Sequence, residues 1–234
     1  MTDELPLPNP VSAAARRRQQ RRNEILEATR ELFDARGLGD AQIEDIAKAV
    51  GINRAIIYRH FSGKEELFAM TLVGYLEEIR SAMLQVDDPA MPPADRLRAI
   101  SASFLDFGEK YPAFVDCALD LLRRPGNELL EEVNAHVLVK LGAGVAGCLD
   151  ALVEVFEAGM ATGEFHIVDP NLLANVLYTQ ALGGLSLARL QLRIGANARG
   201  EPLVSAIAFD DVKAYLIEGA VALARGAGVG PISS

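Results

Sequence analysis

The sequence predicts an all-α fold. Apolar residues recur at intervals of three and four along most of the 234-residue chain, which is the spacing of one face of an α-helix. Glycine and proline separate these segments at points where helices are expected to end or begin. Half of the residues are hydrophobic and 24% are charged, so the chain can bury a core and is unlike an intrinsically disordered protein.

Residues 1–21 are predicted to form a flexible, arginine-rich arm. Pro6, Pro8 and Pro10 disfavour a helix near the start, and five arginines follow within residues 16–22. No apolar segment follows these arginines, so they do not make a secretory signal. Taken alone, the cluster indicates a solvated tail. Beside a DNA-binding element, it becomes a candidate for contact with phosphate or the minor groove.

The charge of the chain is unevenly distributed. The net charge is −9, yet residues 1–70 hold 11 basic and 11 acidic residues, whereas residues 71–234 hold 12 and 21. The acidic part repels a polyanion, but a local cluster of positive charge can still bind one. Contact with nucleic acid is therefore expected at the N-terminal end of the chain.

Three short helices are predicted between residues 23 and 61, followed by a long fourth helix from Lys64. Gly37 and Gly51 are suited to end the first and second helices, and Asn53 is suited to cap the third. The tight turn between the second and third helices indicates a helix-turn-helix. The second helix of such a pair can lie in the major groove of DNA. An ordinary helical hairpin has the same outline.

The start of the third helix carries side chains that can read base edges. Arg54 can bind guanine and Asn53 can bind adenine, each through two hydrogen bonds, and Ala55 follows them. The basic and aromatic stretch 58–61, which includes His60, further favours a DNA-binding helix over an ordinary hairpin.

Residues 22–68 resemble the DNA-binding domain of the TetR family of bacterial transcriptional regulators. The resemblance runs without gaps through Ile25 to Ala28, Leu32, Phe33, Gly37, Ile43, Ile46, Ala47, Val50 to Ile52, Tyr58, His60, Phe61 and Lys64 to Leu67. It implies that Tyr58 and Lys64 contact the phosphate backbone and that Asn53 to Ala55 read bases.

Two positions depart from the family pattern. Ile56 stands where family members often carry a small hydroxyl residue, and Gln42 lies near a position where they often carry threonine. We expect the phosphate contacts of these family residues to be either missing or replaced, with Gln42 as the candidate replacement. The departures bear on the operator sequence and on affinity rather than on the class of protein.

Residues 69–228 are predicted to form a helical bundle. Its helices are expected at 64–85, 95–110, 112–122, 128–160, 170–194 and 210–225. The resemblance implies that this part binds a small-molecule inducer in a mostly apolar pocket and forms a homodimer. Candidate pocket residues are Phe104, Phe107, Tyr111, Phe114, Cys117, Leu121, Phe156 and Tyr178. In any helical bundle, most apolar residues with this spacing belong to the hydrophobic core and do not line a pocket.

The last two long helices are the expected dimer interface. The segment 171–194 is apolar nearly all round, so it must be covered on more than one side. Gly183 and Gly184 would allow a partner backbone to approach. The resemblance implies the same interface, and the alternative is that both helices belong to the core of one chain.

A glycine motif at residues 142–147 offers a competing interpretation. It fits the GxGxxG pattern of dinucleotide-binding folds, with strand-like segments at 137–139 and 165–169. This would make the protein a nucleotide-dependent oxidoreductase. The helical spacing continues through the glycines, however, and further strands for a sheet are lacking, so we expect one helix followed by a loop.

The function predicted from the sequence is a cytoplasmic, ligand-responsive repressor that binds a palindromic operator as a homodimer. A ligand-independent regulator and an activator remain as alternatives. Apart from the glycine motif at 142–147, the sequence shows no enzyme motif, cofactor motif or metal-ligand spacing, and it has no uncharged apolar segment that suggests a membrane span. Cys117 and Cys148 are expected to be reduced and buried.

Overall fold

A computed structural model describes residues 13–123, 134–197 and 199–226, and these residues form nine α-helices and one two-stranded antiparallel sheet. The helices are α1 Ala13–Arg36, α2 Ile43–Val50, α3 Arg54–His60, α4 Lys64–Val86, α5 Pro93–Lys110, α6 Pro112–Arg123, α7 Ala135–Thr162, α8 Pro170–Leu190 and α9 Phe209–Ala224. The strands are β1 Leu192–Ala196 and β2 Pro202–Ala206, which lie between α8 and α9.

Helix α1 begins ten residues earlier than predicted. Residues 13–21 are helical, so the prediction of a flexible arm is wrong for them, and residues 1–12 of that arm lie outside the described residues. The helix extends because alanine, arginine and glutamine favour it and because side chains pair one turn apart, as where the Gln19 amide donates to Asn23 Oδ1 at 2.9 Å. The arginine cluster is therefore carried on a helix.

The helix-turn-helix forms where the sequence predicts it. Gly51 ends α2 with a φ of +72°, a left-handed conformation that glycine adopts without strain, and the Ile52 N–H donates to the Ala47 carbonyl at 2.9 Å. Asn53 then caps α3, since its Oδ1 accepts from the Ala55 N–H at 2.9 Å. Ile46 and Ile57 are buried and join the two helices.

Helix α4 is the central element of the bundle. It packs against α1 on the side of the helix-turn-helix and against α5, α6 and α7 in the C-terminal part. Tyr75, Leu76 and Ile79 in its middle are fully buried. Helices α8 and α9 pack on each other and on α5.

Helix α7 runs through the glycine motif without interruption. Residues 137–139 are helical and residues 165–169 form no strand, so the dinucleotide-binding interpretation is wrong and the predicted helix and loop are present. The first residues of that predicted helix, 128–133, lie outside the described residues. A Cβ at Gly147 would lie 2.8 Å from Arg80 Cδ, so this glycine lets α7 approach α4 closely.

Among the described helices, α7 is long and apolar enough to cross a membrane by length and composition alone, and a core helix of a folded protein meets the same criteria. In the structure α7 packs against α4, α5 and α8.

Helix α8 ends four residues before the predicted end. Gln191 has a φ of +54°, and the chain continues as the hairpin β1–β2, in which Ile194 pairs with Val204. The prediction of a helix to residue 194 is therefore wrong over its last residues. Asn197 shapes the turn, because its Oδ1 accepts from the Arg199 and Glu201 N–H groups at 2.9 and 3.0 Å.

Two glycines of α7 are expected to respond in opposite ways to alanine. At Gly142 a Cβ meets nothing within 4 Å, so Gly142→Ala should raise the unfolding free energy by about 0.5–1 kcal/mol through helix propensity. At Gly159 a Cβ would overlap the ring of Phe165, so Gly159→Ala should lower it by about 1–3 kcal/mol. Urea unfolding followed by circular dichroism measures both, and equal effects at the two positions would contradict the packing described.

Candidate nucleic-acid interface

Helix α3 divides its side chains between the core and solvent. Ile57 is 1% exposed and anchors the helix, whereas Arg54, Ala55 and Tyr58 are exposed on the outside. Asn53 is also exposed, but its side-chain oxygen accepts the Ala55 N–H as the helix cap. Of the predicted contacts on α3, Arg54 and Tyr58 therefore have side chains that a ligand can reach, and Arg59, which was not among those contacts, is exposed as well.

Arg54 forms an ion pair that sequence reasoning did not predict. Its Nη1 lies 3.0 Å from Oε1 of Glu44 in the first turn of α2, and both side chains are exposed. A backbone hydrogen bond at Glu44 and then the bond from Arg54 lower the pKa of the Glu44 carboxyl. The pair is charged at neutral pH, and it places a carboxylate directly beside the predicted base reader.

His60 does not share the exposed surface of Arg54 and Tyr58. It is half-buried, and its Nδ1 is enclosed. Burial, followed by the positive charge of Arg18, Arg22 and Arg21, lowers the pKa of His60. The imidazole is therefore neutral at neutral pH and faces the arginines of α1, so its predicted contact with DNA stays a prediction that the geometry weakens.

Arg22 acts as a structural link between α1 and the start of α4. It donates to the His60 carbonyl at 2.5 Å and to Glu66 Oε1 at 3.3 Å, and its guanidinium lies 4.2 Å from the centre of the Phe61 ring. Glu66 is buried and also accepts from the Ser62 N–H at 2.9 Å and the Ser62 hydroxyl at 2.7 Å. This network fixes the turn between α3 and α4.

The remaining predicted contacts lie around the helix-turn-helix. Gln42 is exposed at the start of α2, and its side chain makes no capping bond there. Lys64 is half-buried in the first turn of α4 with its Nζ 4.9 Å from the centre of the Phe68 ring. Ile56 is half-buried. On α1, Arg16 to Arg18 are exposed and carry positive charge at the same end of the protein.

A second network joins α1 to α4 farther from the helix-turn-helix. The fully buried Tyr75 donates its hydroxyl hydrogen to Asp34 Oδ1 at 2.6 Å. Arg30 lies 4.5 Å from the centre of the Tyr75 ring and 4.8 Å from that of Tyr111, and it pairs with Glu78. Burial, followed by the bond to Asp34, raises the pKa of Tyr75, so the phenol remains protonated.

An apolar cavity with an empty volume of about 530 Å³, including space open to solvent, lies among α4, α5, α7, α8 and α9. It is lined by Met83, Ile100, Ser101, Phe104, Leu105, Cys148, Leu149, Leu152, Leu177, Tyr178, Gln180, Ala181, Leu216 and Ala220. The residues of this lining carry no charge. Burial raises the pKa of Cys148 to about 12 and also raises the pKa of Tyr178, so both groups are neutral.

The structure brings only two of the eight predicted pocket residues to this cavity. Phe104 and Tyr178 line it, with ring centres 5.9 Å apart. Phe107, Tyr111 and Phe114 instead surround Tyr75. Cys117 and Leu121 line a different cavity beside Lys64 and Phe68, and Phe156 is fully buried against Phe165. The spacing of apolar residues shows which side of a helix is buried, but it does not show which of these side chains line a cavity.

Exposed residues follow one side of α8 and one side of α9 at helical spacing, and we call these residues together the outer stripe. It consists of Leu172, Val176, Gly183, Leu187 and Leu190 on α8 and Asp211, Ala214, Tyr215, Gly219 and Ala222 on α9. Tyr215 is 84% exposed. At Gly183 and Gly219 a Cβ would meet nothing within 4 Å, whereas at Gly184 it would overlap Leu216, so Gly184 serves the contact between α8 and α9.

Comparison with known proteins decides the class to which this architecture belongs. The sequence profile described as "Bacterial regulatory proteins, tetR family" matches residues 25–70. A nucleoid occlusion factor of Vibrio atlanticus, SlmA, is 31% identical over 175 residues, which cover 74% of this chain and 86% of SlmA. The chain belongs to the TetR family. The predicted resemblance and the all-α fold class are confirmed.

Two further relatives match over shorter regions. The transcriptional activator FasR of Mycolicibacterium smegmatis is 34% identical over 39% of this chain and 42% of its own length. The transcriptional repressor KstR2 of Mycobacterium tuberculosis is 30% identical over 49% of this chain and 59% of its own length. The matches to these two TetR-like regulators thus span about half of each relative.

Solved structures share the fold at low sequence identity. A tetR-family regulatory protein from Rhodococcus RHA1 superimposes with a TM-score of 0.63 at 17% identity and covers 92% of this chain and 98% of its own. FadR from Bacillus subtilis, solved with stearoyl-CoA, superimposes with a TM-score of 0.61 at 16% identity and covers 88% of this chain and 98% of its own. RolR, solved with resorcinol, superimposes with a TM-score of 0.62 at 16% identity and covers 94% of this chain and 98% of its own.

The buried Glu66 carboxylate is expected to give a pH-dependent share of stability. Burial opposes its ionisation, but the bonds from Ser62 and Arg22 outweigh burial and lower its pKa. A lowered pKa in the folded state contributes stability that is present above the ordinary glutamate pKa of about 4.3 and is lost as the pH falls through the folded value. Glu66→Gln should therefore lower the unfolding free energy by about 1–2 kcal/mol at pH 7.

Urea unfolding from pH 7 down to the lowest pH at which the native protein stays folded measures this difference. The difference in unfolding free energy between Glu66→Gln and the unsubstituted protein should become smaller as the pH falls below about 4. Glu65→Gln, in the same helical turn, is the matched control and should change stability little at any pH. A gap for Glu66→Gln that stays constant with pH would contradict the assigned network.

Proposed function

We propose that the protein is a transcriptional repressor that binds a palindromic operator as a homodimer and releases it when an uncharged small molecule enters the cavity. The observation that carries the proposal is the helix-turn-helix, in which α3 is anchored by Ile57 and presents Arg54, Ala55 and Tyr58 to solvent. A helix presented in this way fits the major groove. A cytoplasmic location follows from a DNA partner.

In the proposed complex, Arg54 binds the edge of a guanine and Tyr58 donates to a phosphate. Arg54 must leave Glu44 to do so, and Glu44 is then free to accept from a cytosine amino group. Lys64 and Gln42 lie at the starts of α4 and α2, where helix N-termini favour phosphate. The exposed arginines of α1 add positive charge in place of a flexible arm.

The outer stripe supports the homodimer. Its small residues, Gly183 and Gly219, leave room for a second backbone, and its large side chains, such as Tyr215, are exposed in one chain. A two-fold dimer through α8 and α9 would place two copies of α3 on a palindromic site.

The cavity supports release by a ligand. FadR and RolR were solved with a bound small molecule, and in this chain the cavity touches α4 at Met83, one turn from its C-terminal end. Helix α4 begins at Lys64, directly after the helix-turn-helix. A ligand that favours one position of α4 shifts the population of DNA-binding conformations, with a typical coupling of about 1–3 kcal/mol.

Activation is the second candidate, since FasR is named as an activator and is 34% identical over its matched region. The two functions share the DNA contacts and differ in the position of the operator relative to the promoter. Transcription in vitro from the operator-bearing promoter separates them, because a repressor lowers the transcript yield and an activator raises it.

The roles of Arg54 and Tyr58 are tested by operator binding. Arg54→Ala should relax the preference for one base pair by about 1–3 kcal/mol, because a bidentate contact is lost. Tyr58→Phe should weaken binding equally on all sequences through loss of a phosphate contact. Fluorescence anisotropy on a set of single-base operator variants, at two salt concentrations, measures both effects.

Arg225→Ala is the matched control for charge. It removes one exposed arginine at the opposite end of the bundle, where Arg225 pairs with Glu164, so it should leave both affinity and base preference unchanged. If Arg54→Ala binds every operator variant as the unsubstituted protein does, α3 is not the base-reading helix.

The uncharged lining predicts the chemistry of the ligand. Burying a carboxylate without a cation is costly, so 1-hexanol should raise the melting temperature and weaken operator binding, whereas hexanoate should do neither. Thermal-shift and anisotropy measurements at matched concentrations make the comparison. Ala181→Leu, which fills part of the cavity, should abolish the response to hexanol, and a stronger response to hexanoate would contradict the assignment.

A further inference from the structure

The hairpin β1–β2 has one face that consists only of apolar residues. Side chains of directly paired residues lie on the same face of an antiparallel pair, and successive residues alternate between faces. One face therefore carries Leu192, Ile194, Ala196, Pro202, Val204 and Ala206, which we call the apolar hairpin face. All six are exposed, and Ile194 is 83% exposed.

The opposite face of the hairpin has a different composition. Arg193 donates to the Ser205 hydroxyl at 2.9 Å on that side, and Gly195 pairs with Leu203. The hairpin is thus amphipathic, with the pattern of a strand pair that has one buried face. In the single chain, the apolar face is exposed to water along its whole length.

A free hairpin of this kind is physically unfavourable. Two strands alone are marginally stable in water, and an exposed apolar strand pair invites pairing with other chains. Contiguous exposed apolar surface on a folded protein commonly marks an interaction site. These rules indicate that a partner covers the apolar hairpin face.

The hairpin lies at the end of the bundle nearest the helix-turn-helix. It leaves α8 at Leu190, and the Ile207 N–H donates to the Gln191 carbonyl at 3.1 Å to close its base. Just before it, Arg189 pairs with Asp116 of α6 at 2.7 Å. Helix α6 in turn packs on α1, which carries the arginine cluster.

The size of the outer stripe argues that the missing partner is a second copy of the chain. A stable interface takes roughly 20–30 residues from each partner. The outer stripe as defined supplies ten, several of them glycine or alanine, and it leads through Leu187 and Leu190 directly to the hairpin. The apolar hairpin face adds six more residues at that end.

We propose that the apolar hairpin face docks on a second copy of the chain and extends the α8–α9 interface toward the helix-turn-helix. The proposal rests on the homodimer proposed above and assigns a specific role to the hairpin within it. The hairpin leaves α8 next to Arg189, which pairs with Asp116 of α6, and α6 packs on α1. A docked hairpin would therefore help to set the separation of the two recognition helices. DNA fits the face poorly, since the face offers no cation or hydrogen-bond donor to a phosphate.

The first test compares the two faces by substitution. The double variant I194T/V204T keeps β-branched side chains at both positions and makes the apolar hairpin face polar. We expect it to raise the dimer dissociation constant about tenfold or more, measured by analytical ultracentrifugation over a dilution series. L203T alters an apolar side chain of similar exposure on the opposite face and should stay within about twofold of the unsubstituted protein.

The second test measures directly whether the dimer protects the apolar hairpin face from a reagent, rather than how strongly the dimer associates. I194C and L203C are labelled with a maleimide, and the native Cys117 and Cys148 react slowly because both are buried and their pKa values are raised to about 12. Above the dimer dissociation constant, I194C should react about tenfold more slowly than L203C. Below that concentration the two rates should converge.

The outcomes separate this inference from the proposed function. An unsubstituted protein that stays monomeric would overturn both the homodimer and the hairpin contact. A dimer in which I194T/V204T leaves the dissociation constant unchanged and I194C reacts as fast as L203C would overturn the hairpin contact and leave the homodimer standing. Protection of I194C that appears only when operator DNA is added would assign the face to the DNA complex and would also overturn the proposal.

Discussion

The hydrogen bond between Tyr75 and Asp34 sets the relation between the two ends of the molecule. A buried phenol is costly without an acceptor, and Asp34 of α1 supplies one at 2.6 Å while Arg30 stacks on the same ring. The register of α1 along α4 is thereby fixed. Because α1 packs on α2, the helix-turn-helix follows α4 when α4 moves. The effect of any ligand that displaces α4 depends on this contact.

The bundle combines close packing of α7 on α4 with a cavity near the C-terminal end of α4. Gly144 and Gly147 let α7 approach α4 so closely that Leu76 and Arg80 occupy the space of the missing side chains. Toward the C-terminal end of α4, small residues such as Ala181 and Ala220 border the cavity instead. A ligand there would press on the C-terminal end of a helix whose other end is held by Arg22 and Glu66.

Local signals in the sequence predict the parts of this structure that local interactions determine. Gly51 and Asn53 mark the turn of the helix-turn-helix because a left-handed residue and a cap are needed there whatever surrounds them. The roles of Arg22 and Glu44 could not be predicted, since each depends on a partner brought near by folding. The pocket residues depend on small differences in packing, and apolar spacing gives the same pattern for a cavity wall and for a filled core.

The hairpin was missed for a different reason, which lies in the spacing of its apolar residues. Leu187, Leu190 and Ile194 are three and four residues apart and continue the helical pattern, while Leu190, Leu192 and Ile194 alternate as in a strand. Asn197 and Gly200, which are residue types that favour turns, are the sequence signal that distinguishes a strand from a continued helix here. After a helix that ends near such a turn, the chain can continue as a β-hairpin.

The ion pair between Arg54 and Glu44 bears on how an acidic protein could select one DNA sequence. A chain with a net charge of −9 gains little from general attraction to phosphate, and a carboxylate beside Arg54, the residue that we propose reads bases, weakens that attraction further. On a wrong sequence, Arg54 has no guanine to replace Glu44, and the carboxylate stays close to the DNA. On the right sequence, both groups find partners on base edges. The pair therefore favours discrimination over affinity, because it penalises the complexes in which it is not exchanged.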